Sequence, residues 1–370
     1  MNRSKSPRAA RVLITVDAVG GVWRYAMDLA AALDPLGFTF VFAGLGPQPS
    51  ARQIQEASKL GTLRWIDEPL DWMVQRESEL AGVAPRLGQL CRQEHVDLVH
   101  LNLPSQADGL VTERPVAAMS HSCVATWFAG VRRQDLPQDW RWHKALNRRG
   151  FDRADIALAP SHSHAAMLQH AYGQIRGLHV VYNSSRTAPA AKSKDDFVLA
   201  AGRWWDDGKN GGVLDEAAKE IIWPVIMAGA NNGPNGQHLM IRHAKHLGEQ
   251  AHQDILSLMR RAAIFVSPSI YEPFGLAPLE AARSHAALVL ADIPTYHELW
   301  RDAAIFADPT DSTAIAAAVN QLVEDPQLRA ELVLKAAERS RRFDPGSQAR
   351  AMADLYSGLL QRDPTRSAAE

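Results

Sequence analysis

Hydrophobic and polar positions alternate along the chain in a pattern that predicts short buried strands separated by amphipathic helices. Strands alternating with helices indicate βαβ units and parallel sheets, and therefore an α/β fold. The predicted strands are Val12–Val16, Phe38–Ala43, Thr62–Ile66, Val96–Leu101, Val116–Met119, Ile156–Leu158, Val180–Tyr182, Phe197–Ala200, Val225–Ala228, Ile264–Val266, Ala287–Ala291 and Ile305–Ala307. The predicted helices are Trp23–Leu33, Ala51–Lys59, Gly82–Arg92, Ser161–Tyr172, Gly212–Glu220, Gln253–Arg261, Ser312–Glu324, Leu328–Arg342 and Gln348–Gln361.

The alternation is interrupted once, at Arg186–Asp196, which is polar, rich in alanine and without a regular pattern. We therefore predict a domain at 1–185, a linker at 186–196 and a second domain at 197–345. Two doubly wound (Rossmann-like) domains in succession predict a ligand-binding cleft between them, beside the carboxyl ends of the strands.

Composition excludes several classes of protein. The chain has 370 residues, 46% of them hydrophobic and 22% charged, with a formal net charge of −1. No strong global field favours nucleic acid, and no apolar run reaches transmembrane length. Two cysteines, Cys91 and Cys123, are too few for a disulfide framework and fit a reducing compartment. The basic start of the chain is not followed by a signal-peptide core. We therefore expect a cytoplasmic location.

The segment Phe265–Glu280 carries the strongest chemical signal. Its β-forming start, the glycine at Gly275 and the helix-forming end predict a strand, a tight turn and a helix N-terminus. Such a turn directs backbone N–H groups and the positive end of the helix dipole at an anion.

Two carboxylates flank this turn. Glu272 and Glu280 have seven residues between them, which places them roughly 8–12 Å apart by helix geometry. That separation is too large for a glycosidase pair acting on one bond. It suits two hydroxylated rings on either side of a diphosphate.

Two cations follow the predicted strand at Phe197–Ala200. Arg203 and Lys209 lie on one strand-to-helix loop, a position that suits a diphosphate. The alternative is a solvated basic pair. No Asp-x-Asp triplet occurs in the chain, so a carboxylate-held Mg²⁺ is not supported, and we expect the cations and the helix dipole to replace a metal.

Two further features follow strands of the first half. Gly20 and Gly21 allow close approach of a ligand and positive φ, although a plain turn explains them equally well. The dinucleotide fingerprint G-x-G-x-x-G is absent there, which counts against a nicotinamide enzyme. His121 comes after Val116–Met119 and can face the cleft, whereas a loop histidine bonded to the backbone is the commoner case.

The segment Arg132–Arg153 carries seven Lys or Arg against three Asp and includes Trp140 and Trp142. It suits an anionic acceptor or a lipid surface. A solvated amphipathic helix is the favoured alternative. A peripheral contact with the inner membrane face is left open.

Taken together, these motifs resemble the family-4 glycosyltransferases of the GT-B fold over nearly the whole chain. The most specific part is the E-x7-E segment from Glu272 to Glu280. The supporting parts are Gly20–Trp23, His121-Ser122, Ala159–Ser161, Val181–Asn183, Gly202-Arg203 through Lys209-Asn210, Leu247-Gly248, and Pro294 through Trp300.

The resemblance implies a retaining, metal-independent transfer of a hexosyl group from a UDP- or GDP-linked sugar, with no cofactor. It implies that Glu280 holds the ribose and that Arg203 and Lys209 neutralise the leaving phosphate. Glu272 and the amides at Phe274, Gly275 and Leu276 would hold the hexose and diphosphate, Gly20 and Gly21 would approach the donor, and His121 would contact the hexose. It also implies that the segment 346–370, with its helix, crosses back to the N-terminal domain.

Two positions depart from the family pattern. Ser184 and His285 stand where family members usually have glycine. They motivate one alternative, a sugar-nucleotide-binding protein without transferase activity. A GT-B phosphorylase or epimerase is a third reading. The stretch Asn231–His246, which is rich in Asn, Gly and His, also departs from the family pattern. The sequence identifies neither the acceptor nor the donor base.

Overall fold

A computed structural model of the chain describes residues 9–189, 193–234 and 236–362. It consists of two compact α/β units. Unit 1 takes its residues from Met1–Thr126, Gln134–Asn183 and Pro345–Glu370, and unit 2 from Trp127–Arg133 and Ser184–Asp344. Of the predicted linker, residues 190–192 lie outside the described part of the chain, and so does the end of the predicted C-terminal segment beyond residue 362.

Unit 1 is built on a seven-stranded parallel sheet in the order β3-β2-β1-β4-β5-β6-β7. Apolar side chains cover both faces, as expected for a parallel sheet enclosed by helices. The strands are β1 (Ala10–Asp17), β2 (Phe38–Leu45), β3 (Gly61–Trp65), β4 (Leu98–Leu101), β5 (Val116–Met119), β6 (Ile156–Ala159) and β7 (Leu178–Val180). The helices are α1 (Gly21–Leu33), α2 (Ala51–Ser58), α3 (Val83–Gln93), α4 (Val124–Trp127), α5 (Arg141–Arg153) and α6 (His162–Tyr172).

Unit 2 repeats the architecture with a six-stranded parallel sheet in the order β10-β9-β8-β11-β12-β13. Its strands are β8 (Asp195–Ala201), β9 (Val225–Ala228), β10 (Lys245–His246), β11 (Ala262–Ser267), β12 (Ala287–Ala291) and β13 (Ile305–Ala307). Its helices are α7 (Gly211–Ala217), α8 (His252–Arg261), α9 (Leu276–Arg283), α10 (Pro294–Trp300), α11 (Ser312–Glu324) and α12 (Pro326–Ser340).

The last described helix, α13 (Pro345–Arg362), belongs to unit 1. Ala349, Met352 and Tyr356 are almost fully buried and join the core formed by α1 and the central strands. The unit 1 core is therefore assembled from chain on both sides of Ser184–Asp344.

Each sheet has a switch point, where the strand order reverses direction. In unit 1 it lies between β1 and β4, and in unit 2 between β8 and β11. Ligands of doubly wound sheets bind beyond the carboxyl ends of the strands at such a point. Gly20 and Gly21 follow β1, Arg203 follows β8, and Glu272 follows β11, so the fold brings each of them to a switch point.

The predicted α/β alternation is confirmed, with local differences. The prediction missed β10, which has only two residues, and the short helices α4 and α10. The last strand of unit 1 ends at Val180 instead of Tyr182. In Arg132–Arg153 the α-helix occupies Arg141–Arg153 only, and a π-helical turn precedes it at Phe128–Arg132.

Candidate active site

The loop after β8 places both predicted cations at the unit 2 switch point. The Lys209 ammonium donates to Glu272 Oε2 at 2.5 Å, and the two side chains are only 21% and 14% exposed. The Arg203 guanidinium lies 3.4 Å from Asp206 Oδ2 and 5.3 Å from the ring centre of Trp205. The structure thus brings a predicted cation and a predicted carboxylate together in an ion pair, which the sequence did not indicate.

Local hydrogen bonds fix the conformation of this loop. Asp206 Oδ1 accepts from the backbone N–H of Gly208 and from Trp127 Nε1, both at 2.9 Å. Asn210 has a left-handed backbone at φ +57°, and its Nδ2 donates to the carbonyl oxygens of Pro268 and Pro309. Asn210 thereby ties the loop to the segments after β11 and β13, which holds Lys209 beside Glu272.

The E-x7-E segment folds as a strand, a turn and a helix. Gly275 precedes α9 with φ +91°, in the left-handed region that favours glycine. A Cβ atom there would lie 3.1 Å from Tyr296 Cε1. Phe274 is buried against the ring of Phe343, and Leu276 is the first residue of α9. The three predicted amides therefore sit at the N-terminus of a helix of eight residues, beside Glu272.

Glu280 lies on α9, and its side chain is 6% exposed. Its Oε1 accepts a hydrogen bond from His252 Nε2 at 2.8 Å, and His252 is the first residue of α8. A carboxylate taken out of water needs hydrogen-bonding partners. His252 supplies one, and sequence reasoning missed it because no regular spacing links residues 252 and 280.

Tyr296 was also missed. Its hydroxyl bonds Ser267 Oγ at 2.5 Å, and its ring lies against Gly275. Burial, then the neighbouring Glu272 carboxylate, raises the pKa of Tyr296 well above its ordinary value. Tyr296 therefore keeps its hydroxyl hydrogen, and its ring packs against the turn at Gly275.

A second glycine requirement lies at the same edge of the sheet. Gly229 has φ +124°, and a Cβ atom there would lie 1.9 Å from the carbonyl oxygen of Gly202. The backbone segments after β8 and β9 therefore lie so close together at this point that no Cβ atom fits between them. This contact explains Gly229, which the sequence analysis did not single out.

In unit 1, Gly20 is the N-cap of α1 and Gly21 is its first residue, as the strand–glycine–helix pattern predicted. The expected positive φ is not used: Gly20 is extended at φ −149°. Gly21 is likewise outside the left-handed region.

His121 follows β5 and lies among side chains of several unit 1 elements. Its Nε2 is 2.9 Å from Asn102 Oδ1, and its ring meets the Tyr25 ring edge-on at 4.3 Å. Burial, then His100 and His164, lowers the pKa of His121 to about 3. His121 is therefore neutral across the physiological range, and its side chain bonds another side chain, not the backbone partner considered as an alternative.

The two departures from the family pattern have different environments. Ser184 is buried. His285 takes a left-handed backbone at φ +60°, the conformation in which a glycine would be unstrained. It lines a cavity of about 470 Å³ at the amino ends of β8, β11 and β12, at the opposite edge of the sheet from Lys209 and Glu272.

Three of the seven cations of Arg132–Arg153 pair with carboxylates of the same chain. Arg148 pairs with Asp152, Arg149 with Asp108 and Glu77, and Arg132 with Asp207. Within the described ranges, no group of three or more His, Cys, Asp or Glu is placed to hold a metal ion. Over the same residues, no helix is both long and apolar enough to cross a bilayer.

Comparison with known proteins gives matches in both halves of the chain. The model "Glycosyltransferase Family 4" matches residues 19–187, and "Glycosyl transferases group 1" matches 224–339. Glycogen synthase of Mycobacterium tuberculosis is 33% identical over 123 residues, 32% of this chain and 30% of the relative. O-antigen chain mannosyltransferase B of Escherichia coli is 27% identical over 40% of this chain and 33% of the relative. The matched segments thus span about a third of the length of each of these two relatives.

Solved structures match over almost the full length. Sucrose-phosphate synthase from Thermosynechococcus elongatus superposes with a TM-score of 0.76 at 17% identity, over 95% of this chain and 99% of that one. Anabaena HepE in complex with UDP-glucose gives 0.75 at 19% identity, over 94% and 99%. At such identities the likeness establishes the fold, which is GT-B.

Proposed function

Because the chain belongs to the family-4-like glycosyltransferases of the GT-B fold, we propose that it is a retaining hexosyltransferase that uses a UDP- or GDP-linked sugar and needs no metal ion. The observation that carries the proposal is the Lys209–Glu272 ion pair at the unit 2 switch point, next to the N-terminus of α9. A cation, a carboxylate and the N-terminal amides of a helix together suit a sugar diphosphate.

In this proposal each group takes one part of the donor. Glu280, oriented by His252, accepts hydrogen bonds from the ribose hydroxyls. Lys209 and Arg203 turn from their carboxylate partners to the diphosphate oxygens. Glu272, released from Lys209, accepts hydrogen bonds from the hexose. His121 contacts a hydroxyl of the hexose, and the small Gly20 and Gly21 leave room for the donor.

The same groups account for the chemistry. The bond between the anomeric carbon and the diphosphate oxygen breaks, and a bond to the acceptor oxygen forms on the same face. The acceptor proton passes to the departing phosphate, so no separate base is required. Negative charge grows on the diphosphate as the sugar becomes oxocarbenium-like. Fixed cations and helix amides at that point stabilise the transition state more than the ground state.

The donor class has support from the fold neighbours, since HepE was solved with UDP-glucose. Metal independence rests on the two cations, which can balance the charge of a diphosphate. We keep a cytoplasmic location as part of the proposal. A peripheral membrane contact by Arg132–Arg153 stays a weaker proposal, because intramolecular ion pairs occupy several of its cations.

The test is release of nucleoside diphosphate from a panel of UDP- and GDP-sugars, with EDTA in one arm and with Mg²⁺ in another. We expect release from one donor class, equal in both arms. Binding with normal affinity but without release from any donor would identify a sugar-nucleotide-binding protein. Formation of a sugar 1-phosphate from a disaccharide and phosphate would identify a phosphorylase. Absence of both binding and release would refute the proposal.

A variant separates the ribose assignment from the rest. Glu280→Gln removes a charged acceptor, so we expect it to weaken binding of free UDP or GDP by about 10-fold. Glu216→Gln, on the exposed end of α7, is the matched control and should bind as the unmodified protein does. Equal nucleotide affinity in both variants would place the ribose elsewhere.

A further inference from the structure

A buried chain of polar side chains connects His121 to the C-terminal helix of unit 1. Tyr356 Oη lies 2.6 Å from His100 Nδ1, and His100 Nε2 lies 3.1 Å from Asn102 Oδ1. The same oxygen is 2.9 Å from His121 Nε2. Tyr356 and His100 are fully buried, and Asn102 nearly so. Buried polar groups of this kind are satisfied only by one consistent set of donors and acceptors.

The orientation of the Asn102 amide is fixed from its other side. Asn102 Nδ2 lies 2.5 Å from the carbonyl oxygen of Thr15, which can only accept. The backbone N–H of Asn102 donates to Thr15 Oγ1, and Thr15 Oγ1 donates to Gln106 Oε1. The amide nitrogen must therefore face Thr15, and the amide oxygen must face the two imidazoles.

This orientation sets the tautomer of both histidines. Since Asn102 Oδ1 only accepts, Nε2 of His100 and Nε2 of His121 must each carry the hydrogen. His100 Nδ1 then has a lone pair and accepts from the Tyr356 hydroxyl. His121 Nδ1 is likewise left as an acceptor. Neutral imidazole has one donor and one acceptor nitrogen, so the partner of one nitrogen decides the role of the other.

The surrounding groups keep both rings neutral. His121 is faced by Tyr25 from α1, His100 from β4 and His164 from α6, and His164 Nε2 in turn lies near Ser120. Burial is the main cause that lowers the pKa of His100 to about 4, as it does for His121. A neutral ring with a very weakly basic Nδ1 accepts a hydrogen bond but does not take up a proton near neutral pH.

We propose that Asn102, His100 and Tyr356 are positioning residues that hold His121 as the Nε2–H tautomer, so that its Nδ1 accepts a hydrogen bond from a hydroxyl group of the bound sugar. The contact with sugar rests on the proposed function, whereas the tautomer does not. His121 then orients the substrate and does not act as a base. The C-terminal helix contributes through Tyr356, without touching the sugar.

The tautomer can be measured without any substrate. In the full-length protein labelled with ¹⁵N-histidine, long-range proton–nitrogen spectra separate protonated from unprotonated ring nitrogens, and a His121→Gln spectrum assigns the resonances. We expect His121 and His100 to be protonated at Nε2 only and to show no titration between pH 5 and 8. Protonation of His121 at Nδ1, or titration near pH 6.5, would overturn the tautomer assignment whether or not the protein is a transferase.

Asn102→Asp tests the positioning role through the pH profile. A carboxylate beside both imidazoles raises their pKa values, so His121 becomes protonated at Nδ1 and loses its acceptor. With the donor found in the nucleotide-release panel, we expect turnover of the variant relative to the unmodified protein to fall by about 10-fold per pH unit below the new pKa. It should recover at high pH. A merely structural role would lower turnover equally at all pH values, and that outcome would overturn the proposal.

Two further variants complete the test. Asn320→Asp, a matched substitution at a side chain that bonds the backbone of Glu220 and Ile222, should leave the pH profile unchanged. Should Asn102→Asp fail to fold, Tyr356→Phe gives a second measurement. Loss of the hydroxyl removes the donor to His100 Nδ1, so we expect the ¹⁵N resonance of Nδ1 to shift while Asn102 keeps the hydrogen on Nε2. A His100 spectrum unchanged by Tyr356→Phe would contradict the proposed chain of hydrogen bonds.

Discussion

The two units place their polar groups at equivalent edges of similar sheets, yet the groups are charged in unit 2 and neutral in unit 1. At the unit 2 switch point the side chains are ionised and paired, as Lys209 is with Glu272. In unit 1 the corresponding region holds neutral imidazoles, His100 and His121, joined by an amide. One architecture therefore supports two electrostatic environments, and the side chains that follow each strand decide which one is formed.

The difference has a physical reason in the proposed reaction. A diphosphate carries charge that only cations and backbone amides can balance. A sugar hydroxyl is neutral, so it needs a hydrogen-bonding partner and not a counter-charge. A neutral imidazole in a fixed position supplies such a partner without burying a charge. This contrast between a charged unit 2 site and a neutral unit 1 site can be tested directly.

The largest expected effect is acid sensitivity confined to unit 1. Burial lowers the pKa of His100 and His143 to about 4 and of His164 to about 3. Below pH 6.5 the unfolded chain binds more protons than the folded one, so stability is complete above that pH and is lost as pH falls towards 4. For His100 alone the loss at pH 4.5 is of order 2–3 kcal/mol.

Amide hydrogen exchange at pH 7 and pH 4.5, corrected for intrinsic exchange rates, measures the loss of stability in each unit separately. We expect amides of β4 and β5 to lose protection at pH 4.5 while those of β11 and β12 keep theirs. His100→Gln should reduce the pH dependence, because the substituted side chain does not titrate. Equal loss of protection in both units would break the comparison.

The second effect concerns the charge in unit 2. Lys209→Met removes a cation that acts mainly in the transition state, so we expect turnover to fall by about 10²-fold. Lys219→Met is the matched control, because Lys219 is an exposed lysine of the same unit that pairs with Glu216. Nucleotide release at saturating donor gives both rates, and thermal unfolding of each variant accounts for loss of the Glu272 partner. Turnover equal to that of the control would exclude a diphosphate at Lys209.

The smallest expected effect is on stability, and it concerns the backbone conformation of His285 in unit 2. His285 has φ +60°, where non-glycine residues are strained. His285→Gly should raise the free energy of unfolding by about 0.5–1 kcal/mol, after the greater flexibility of the unfolded glycine is deducted. His285→Ala, which keeps the strain, should give no gain in urea unfolding. Equal values for the two variants would show that the side chain and not the backbone matters at this position.

The fold was predictable because its signals are local. Parallel strands such as β5 and β12 are buried on both faces and read as unbroken apolar runs, and helices such as α11 show a clear period. The segment from Glu272 to Glu280 likewise encodes its own turn, since Gly275 precedes a good helix former. The missed elements, α4, β10 and α10, have between two and seven residues, too few for a clear period to develop.

The partners in the candidate site were not predictable in the same way. His252 meets Glu280 because helices α8 and α9 pack against each other. Asn102 meets His121 because β4 and β5 end at the same edge of the sheet. The position of Gly229 depends on the path of the backbone after β8. Each of these contacts depends on three-dimensional placement, for which a single sequence has no periodic signal. The roles of the predicted site residues stay predictions until the donor is bound.

The position of α13 has a consequence for how the protein is made. Tyr356 and Met352 complete the unit 1 core, yet they leave the ribosome only after the whole of Ser184–Asp344 has been synthesised. Domains generally fold as units during synthesis, with the N-terminal one first. In this protein the core of unit 1 cannot be completed until α13 has been synthesised, and the apolar surface that α13 covers stays exposed until then. A nascent chain of this design would depend on unit 2 folding promptly, and chaperone demand should peak just before α13 emerges.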